Sequence, residues 1–79
     1  MITSAQIRAA RALIRMTSAE LAEATGLGIA TIRRIELGDG IPPGTSKTLH
    51  TVKVALETAG VEFVGTPQDR PGVRKSPNT

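Results

Sequence analysis

Apolar residues recur along most of this chain at the three-to-four-residue interval of amphipathic helices, and near the end they switch to alternation. Thr3-Ser4-Ala5-Gln6 has the Thr-x-x-Gln form of a capping box, which predicts a helix from Ser4 that frays near Arg15 or Met16. Ile7, Ala10 and Ile14 form its inner stripe, with Leu13 beside it. Thr17-Ser18-Ala19-Glu20 repeats the box and opens a second helix to about Thr25, with Leu21 and Ala24 inward. Gly26 supplies a left-handed stop, and Leu27 falls in the corner that follows. A third helix is expected from about Ile29 to Leu37. At about 100° per residue, Ile32, Ile35 and Glu36 share one side of it, and Ala30, Arg33, Arg34 and Leu37 the other.

Gly38-Asp39-Gly40-Ile41-Pro42-Pro43-Gly44 reads as a turn-rich loop. Thr45 or Ser46 then caps a fourth helix with Leu49, Val52, Leu56 and Ala59 inward, Val54 off that stripe, and Gly60 as the stop. Val61-Glu62-Phe63-Val64 alternates as a short strand does. Residues 65–72, with two prolines, are expected to form a loop. Val73-Arg74-Lys75 pairs back as a weak hairpin, and Ser76-Pro77-Asn78-Thr79 is expected to fray. A lone two-stranded ribbon is scarcely stable in water, so it either packs on the helices through Val61 and Phe63 or pairs with a second copy. The pattern thus predicts an all-α fold: a domain over residues 1–60 with four helices, five if short turns are counted. A strand or hairpin tail follows over 61–79.

Composition narrows the chemistry. The 79 residues allow one domain with a modest core. There is no cysteine, so no disulfide or thiolate ligand is available, as suits a reducing compartment. Phe63 is the sole aromatic, which makes the core aliphatic. No apolar run has the length of a membrane span and Met1-Ile2-Thr3-Ser4 does not read as a signal peptide, so a soluble, cytoplasmic protein is expected. With a single histidine, His50 on an outer helix face, and no glycine-rich phosphate loop or paired acids, the sequence argues against an enzyme, a metal site or a cofactor.

The net charge of +3 is unevenly spread. Residues 1–16 carry Arg8, Arg11 and Arg15 and no acid. Residues 17–40 set Arg33 and Arg34 against Glu20, Glu23, Glu36 and Asp39, a local −2. A nonspecific nucleic-acid binder is far more basic. On charge alone +3 is as well read as an ordinary solvated surface, and any DNA affinity would have to come from a few well-placed cations and backbone amides, or from doubling the patch in a dimer.

Two short helices joined at a glycine, the second bearing arginines opposite its core face, are the layout of a helix-turn-helix. The residues Thr17, Glu20-Leu21-Ala22, Gly26-Leu27, Thr31-Ile32 and Ile35-Glu36-x-Gly38 resemble the phage-repressor, Cro-type (XRE) helix-turn-helix family. The resemblance covers residues 4 to 60, and Ala55 to Phe63 is similar to small bacterial members with a compact four-helix body and a strand-like tail. It implies a lambda-repressor-like domain and transcriptional control, usually repression, by homodimers on a roughly palindromic double-stranded DNA operator. It also implies that Glu36 pairs with an arginine of the first helix, a place Arg11 fits. Members often carry Gln where this chain has Ser18, and a Ser or Thr cap where it has Gly28, an adequate but weaker cap.

The expected DNA-binding residues follow from these placements. Arg34 is outward and one turn into the third helix, positioned for guanine O6 and N7 or for a phosphate. Arg33 sits nearer the edge of that face, where a phosphate, an intrahelical pair and a base are equal options. Thr31 and Ser18 offer hydroxyls to phosphates. Ile29 and Ala30 have no polar side-chain group and are left with thymine methyls, Ala30 also permitting close approach. Lys47, Thr48 and the amides opening the fourth helix either hold a phosphate or form a plain cap. Arg8 and Arg15 have no obvious acid partner and are assigned to exposed surface. The expected dimer face is Val54, Val61, Phe63 and Val64. A second function class stays open: a protein-interaction module, such as an antitoxin or an anti-activator. The local −2 charge, the apolar Ile29, Ala30 and Leu37, and Ser18 in place of an amide keep it in play as the runner-up.

Overall fold

Threonine capping boxes start the first two helices of the computed structural model, which describes residues 1–77. In α1 (Ser4–Ile14) the Thr3 side chain accepts from the Gln6 amide and the Gln6 side chain accepts from the Thr3 amide. Thr17 and Glu20 repeat the exchange at α2 (Ser18–Thr25). Gly26 closes α2 at φ 74°, a left-handed turn natural to glycine. α3 spans Ile29–Glu36, and α4 spans Ser46–Thr58 with Thr45 as its cap.

The chain then forms an antiparallel hairpin of β1 (Val61–Thr66) and β2 (Asp69–Lys75). Four helices followed by a hairpin are as expected, but the domain is mixed helix plus hairpin rather than strictly all-α. Residues 65–72 are largely strand rather than loop. Gly65 on β1 faces both Arg70 and Pro71 on β2, a bulge in which Pro71 has no ladder amide to supply. Gly65 sits at φ 75°, and a Cβ there would lie 2.1 Å from the Arg70 carbonyl oxygen.

The hairpin packs on its own helices. Val61 is buried in the common core, and Phe63 and Val73 lie against it. Gln6 ties the far end of the ribbon: its Nε2 donates to the carbonyls of Val64 (3.1 Å) and Gly72 (2.9 Å). Ser76, expected to be frayed, donates its amide to the Gly60 carbonyl. Asn78 and Thr79, of which the same was expected, lie outside the described residues.

Ile7, Leu21, Ile32, Ile35, Val52 and Leu56 form the centre of the core. Two expected inward positions are corrected. Ala24 is exposed, and Ala22 packs with Leu21 in its place. Ala59 is exposed because α4 ends at Thr58, so Ala59 leaves the stripe of Leu49, Val52 and Leu56. No helix among the described residues is long and apolar enough to cross a membrane.

Candidate nucleic-acid interface

The sharpest division between bound and free residues is on α3. Ile32, Ile35 and Glu36 are buried, while Ala30, Arg33 and Arg34 are exposed. Arg33 and Arg34 form no ion pair among the described residues, so two full cations face solvent side by side. Ile29 and Thr31 are half-buried, and Ile29 packs against the core, so only part of its side chain faces outward. Leu37, just past the helix, is 72% exposed.

The turn into α3 is fixed locally. Thr25 Oγ1 donates to the Leu21 carbonyl at 2.8 Å and accepts from the Leu27 amide at 3.3 Å. Leu27 wedges against the core as its position in the corner requires. Gly28 starts α3 without a side-chain cap, leaving the first amides of the helix without that partner. Ser18 is half-buried in the first turn of α2. At the start of α4, Lys47 is exposed and Thr48 half-buried, with the Thr48 amide donating to Thr45 Oγ1. The plain cap is therefore formed, and Lys47 remains a free cation among the described residues.

Behind this surface, α1 holds the end of α3 with a polar stripe at i, i+4 and i+7 spacing. Ser4 Oγ donates to the Ile35 carbonyl at 2.6 Å. Arg11 makes a two-pronged contact with the Glu36 carboxylate, Nε to Oε2 at 2.7 Å and Nη2 to Oε1 at 2.6 Å, and also donates to the Met16 carbonyl. The hydrogen bond that Arg11 donates to Glu36 raises the Arg11 pKa above its already high value. Between them lies Arg8, whose guanidinium donates to the carbonyls of Glu36 and Gly38 and to the Asp39 carboxylate (2.6 Å).

Arg8 thus departs from the expected unpaired surface residue. Asp39 lies 31 residues away and meets it only because α3 ends against α1. The i, i+4, i+7 arrangement of Ser4, Arg8 and Arg11 puts three polar side chains on one face of α1, but that spacing names no partner for them. Arg15 is exposed at the left-handed end of α1, as assigned.

The expected dimer residues do not share one free surface. Val61 is 2% exposed within the single chain, consumed by the core. Phe63 and Val64 are half-buried, Phe63 against the core. Val54 is 42% exposed and, with Ala24, Ala55, His50, Thr51 and Thr58, lines a shallow groove of about 500 Å³ between α2 and α4. His50 is exposed, and no group of three or more His, Asp or Glu among the described residues is placed to hold a metal.

A helix-turn-helix family profile matches residues 7–47, a span that takes in most of α1, all of α2 and α3, and the opening of α4. No curated protein matches the chain.

Proposed function

Since the chain belongs to the XRE, lambda-repressor-type helix-turn-helix family, we propose that it is a DNA-binding regulator acting in the cytoplasm as a homodimeric repressor on a roughly palindromic operator, without enzymatic activity or cofactor. One observation carries the DNA reading: α3 buries its isoleucines and Glu36 while Arg33 and Arg34 stand free on its outer face. Arg34 is assigned to base readout and Arg33 to phosphate. Thr31 and Ser18 donate to phosphates, with Ala30 and the exposed part of Ile29 against thymine methyls. Lys47 adds a phosphate contact at the start of α4.

A monomer presents few cations, so doubling the module is what lifts affinity and specificity to useful levels. Val54 and its groove are the part of the expected dimer face that remains free in the single chain. The test is a gel shift with DNA from upstream of the protein's own coding region, across a salt series. Sequence-selective binding that weakens steeply with salt is expected, each neutralised phosphate contributing a slope of about −0.9 in log K against log salt. The exposed Leu37 beside Arg34 favours the second reading, an interaction module that covers a protein partner. Co-purification of another protein with no shift at low salt would establish it.

A further inference from the structure

We propose that Arg8 is a positioning residue for DNA readout: it caps the C-terminal end of α3 and sets the angle at which Arg33 and Arg34 meet the duplex. The inference rests on the DNA-binding reading. α3 has only eight residues, shorter than a helix that holds itself together in water. Its N-terminal Gly28 makes no side-chain cap bond. At its other end Leu37 is extended (φ −71°, ψ 143°), so the left-handed turn falls one residue later, at Gly38 (φ 78°), and closes no backbone hydrogen bond onto Ile35 or Glu36.

The Arg34 carbonyl accepts from the Leu37 amide, and those of Ile35 and Glu36 are taken by α1. Ser4 holds Ile35, and Arg8 holds Glu36 and Gly38 together while its second prong takes Asp39. A guanidinium suits this place on two counts. Its fork reaches several acceptors at once, and its charge sits at the negative end of the helix dipole. Two of the three Arg8 acceptors are backbone, so the contact grips the path of the main chain rather than a mobile side chain. The Arg8 charge is paired with Asp39, which sets it apart from the unpaired Arg33 and Arg34.

The test uses the full chain and two readouts. The first needs no DNA. In Arg8→Ala, hydrogen exchange at the amides of Ile35, Glu36 and Leu37 should accelerate while the Leu21 and Leu56 amides keep their protection. The second compares a duplex selected by the wild-type protein from a random pool with a random-sequence duplex. At a temperature where circular dichroism shows the variant folded, affinity for the selected duplex should fall about tenfold, within the range of one lost base contact. Affinity for the random duplex and the salt slope should stay as in wild type. Arg8→Lys, which reaches fewer acceptors, should recover only part of the loss. Asp39→Ala, which spares both backbone contacts, should stay within about twofold of wild type.

A fall in both duplexes with a shallower salt slope would overturn the proposal, because Arg8 would then be touching phosphate. Unchanged selectivity with faster exchange would also overturn it, leaving Arg8 a purely structural cap. Should Arg8→Ala fail to fold, Arg8→Lys carries both readouts, and wild-type exchange together with wild-type selectivity in that variant counts against the clamp. If the wild-type protein selects no duplex, the regulator reading fails. The exchange readout then still decides whether Arg8 clamps α3, and unaltered exchange sinks it.

Discussion

At the scale of single residues, Arg34 and Glu36 sit one turn or less apart on α3 and serve opposite ends of the problem. Arg34 is exposed and forms no ion pair among the described residues. Replacing it with alanine should weaken operator binding by about 1–3 kcal/mol and relax the sequence requirement at one position, measured by titrating single-base operator variants. An Arg34→Ala protein that is folded and binds every variant as wild type does would remove it from the reading face. Glu36 is 8% exposed and holds Arg11, itself 20% exposed. Breaking a fully buried pair costs about 3–5 kcal/mol, and Arg11 keeps some water, so Glu36→Ala should cost about 2–3 kcal/mol in urea unfolding. Removing both charges together, as Arg11→Met with Glu36→Leu, should recover most of it, because the penalty is chiefly the orphaned charge.

At the scale of elements, local sequence chemistry decides the helix starts. Both capping boxes were legible because their partners stand three residues apart. In the second box, hydrogen bonds from the Thr17 amide and then its hydroxyl lower the Glu20 pKa. A carboxylate with a lowered folded pKa stabilises above its ordinary range of about 4 and loses that contribution as pH falls through the lowered value. An NMR titration should therefore find Glu20 below the ordinary range in wild type and closer to it in Thr17→Ala. The same substitution should cost about 1 kcal/mol, the usual worth of a cap.

The hairpin was only half legible, and the reason is physical. Val61 to Val64 alternate openly, but the second half of the ribbon depends on a bulge at Gly65 that no residue period announces. Prolines argue against strand unless the ladder skips them, and here it does. Gly65→Ala should cost about 2 kcal/mol or more, from a left-handed alanine and a clash with the Arg70 carbonyl, seen as a fall in Tm. The division of α3 into a buried and an exposed face was legible from periodicity alone. The hold of Arg8 on α3 was not, because its acceptors are backbone carbonyls, which carry no residue signature.

At the scale of the whole molecule, one core joins helices and hairpin, and this changes what an assembly can use. Val61, Phe63 and Val73 are committed to the single chain, whereas Val54 is not. Val54→Glu should leave the fold intact and shift sedimentation from dimer to monomer. If the variant remains dimeric, the α2–α4 groove is not the interface. Val61→Ala should instead lower stability by about 1–3 kcal/mol with no specific change in association, since it removes core volume.

The amide of Gln6 joins residues made far apart in synthesis. Its acceptors on Val64 and Gly72 lie 58 and 66 positions downstream, so α1 leaves the ribosome long before the groups that complete its packing exist. Contacts of such separation are slow to form and come late in folding. The growing chain must therefore wait, with the flank of α1 that the ribbon will cover still open, until the second strand has been added. A translational pause before Gly72 would prolong the time that apolar surface is on offer to chaperones or to other nascent chains.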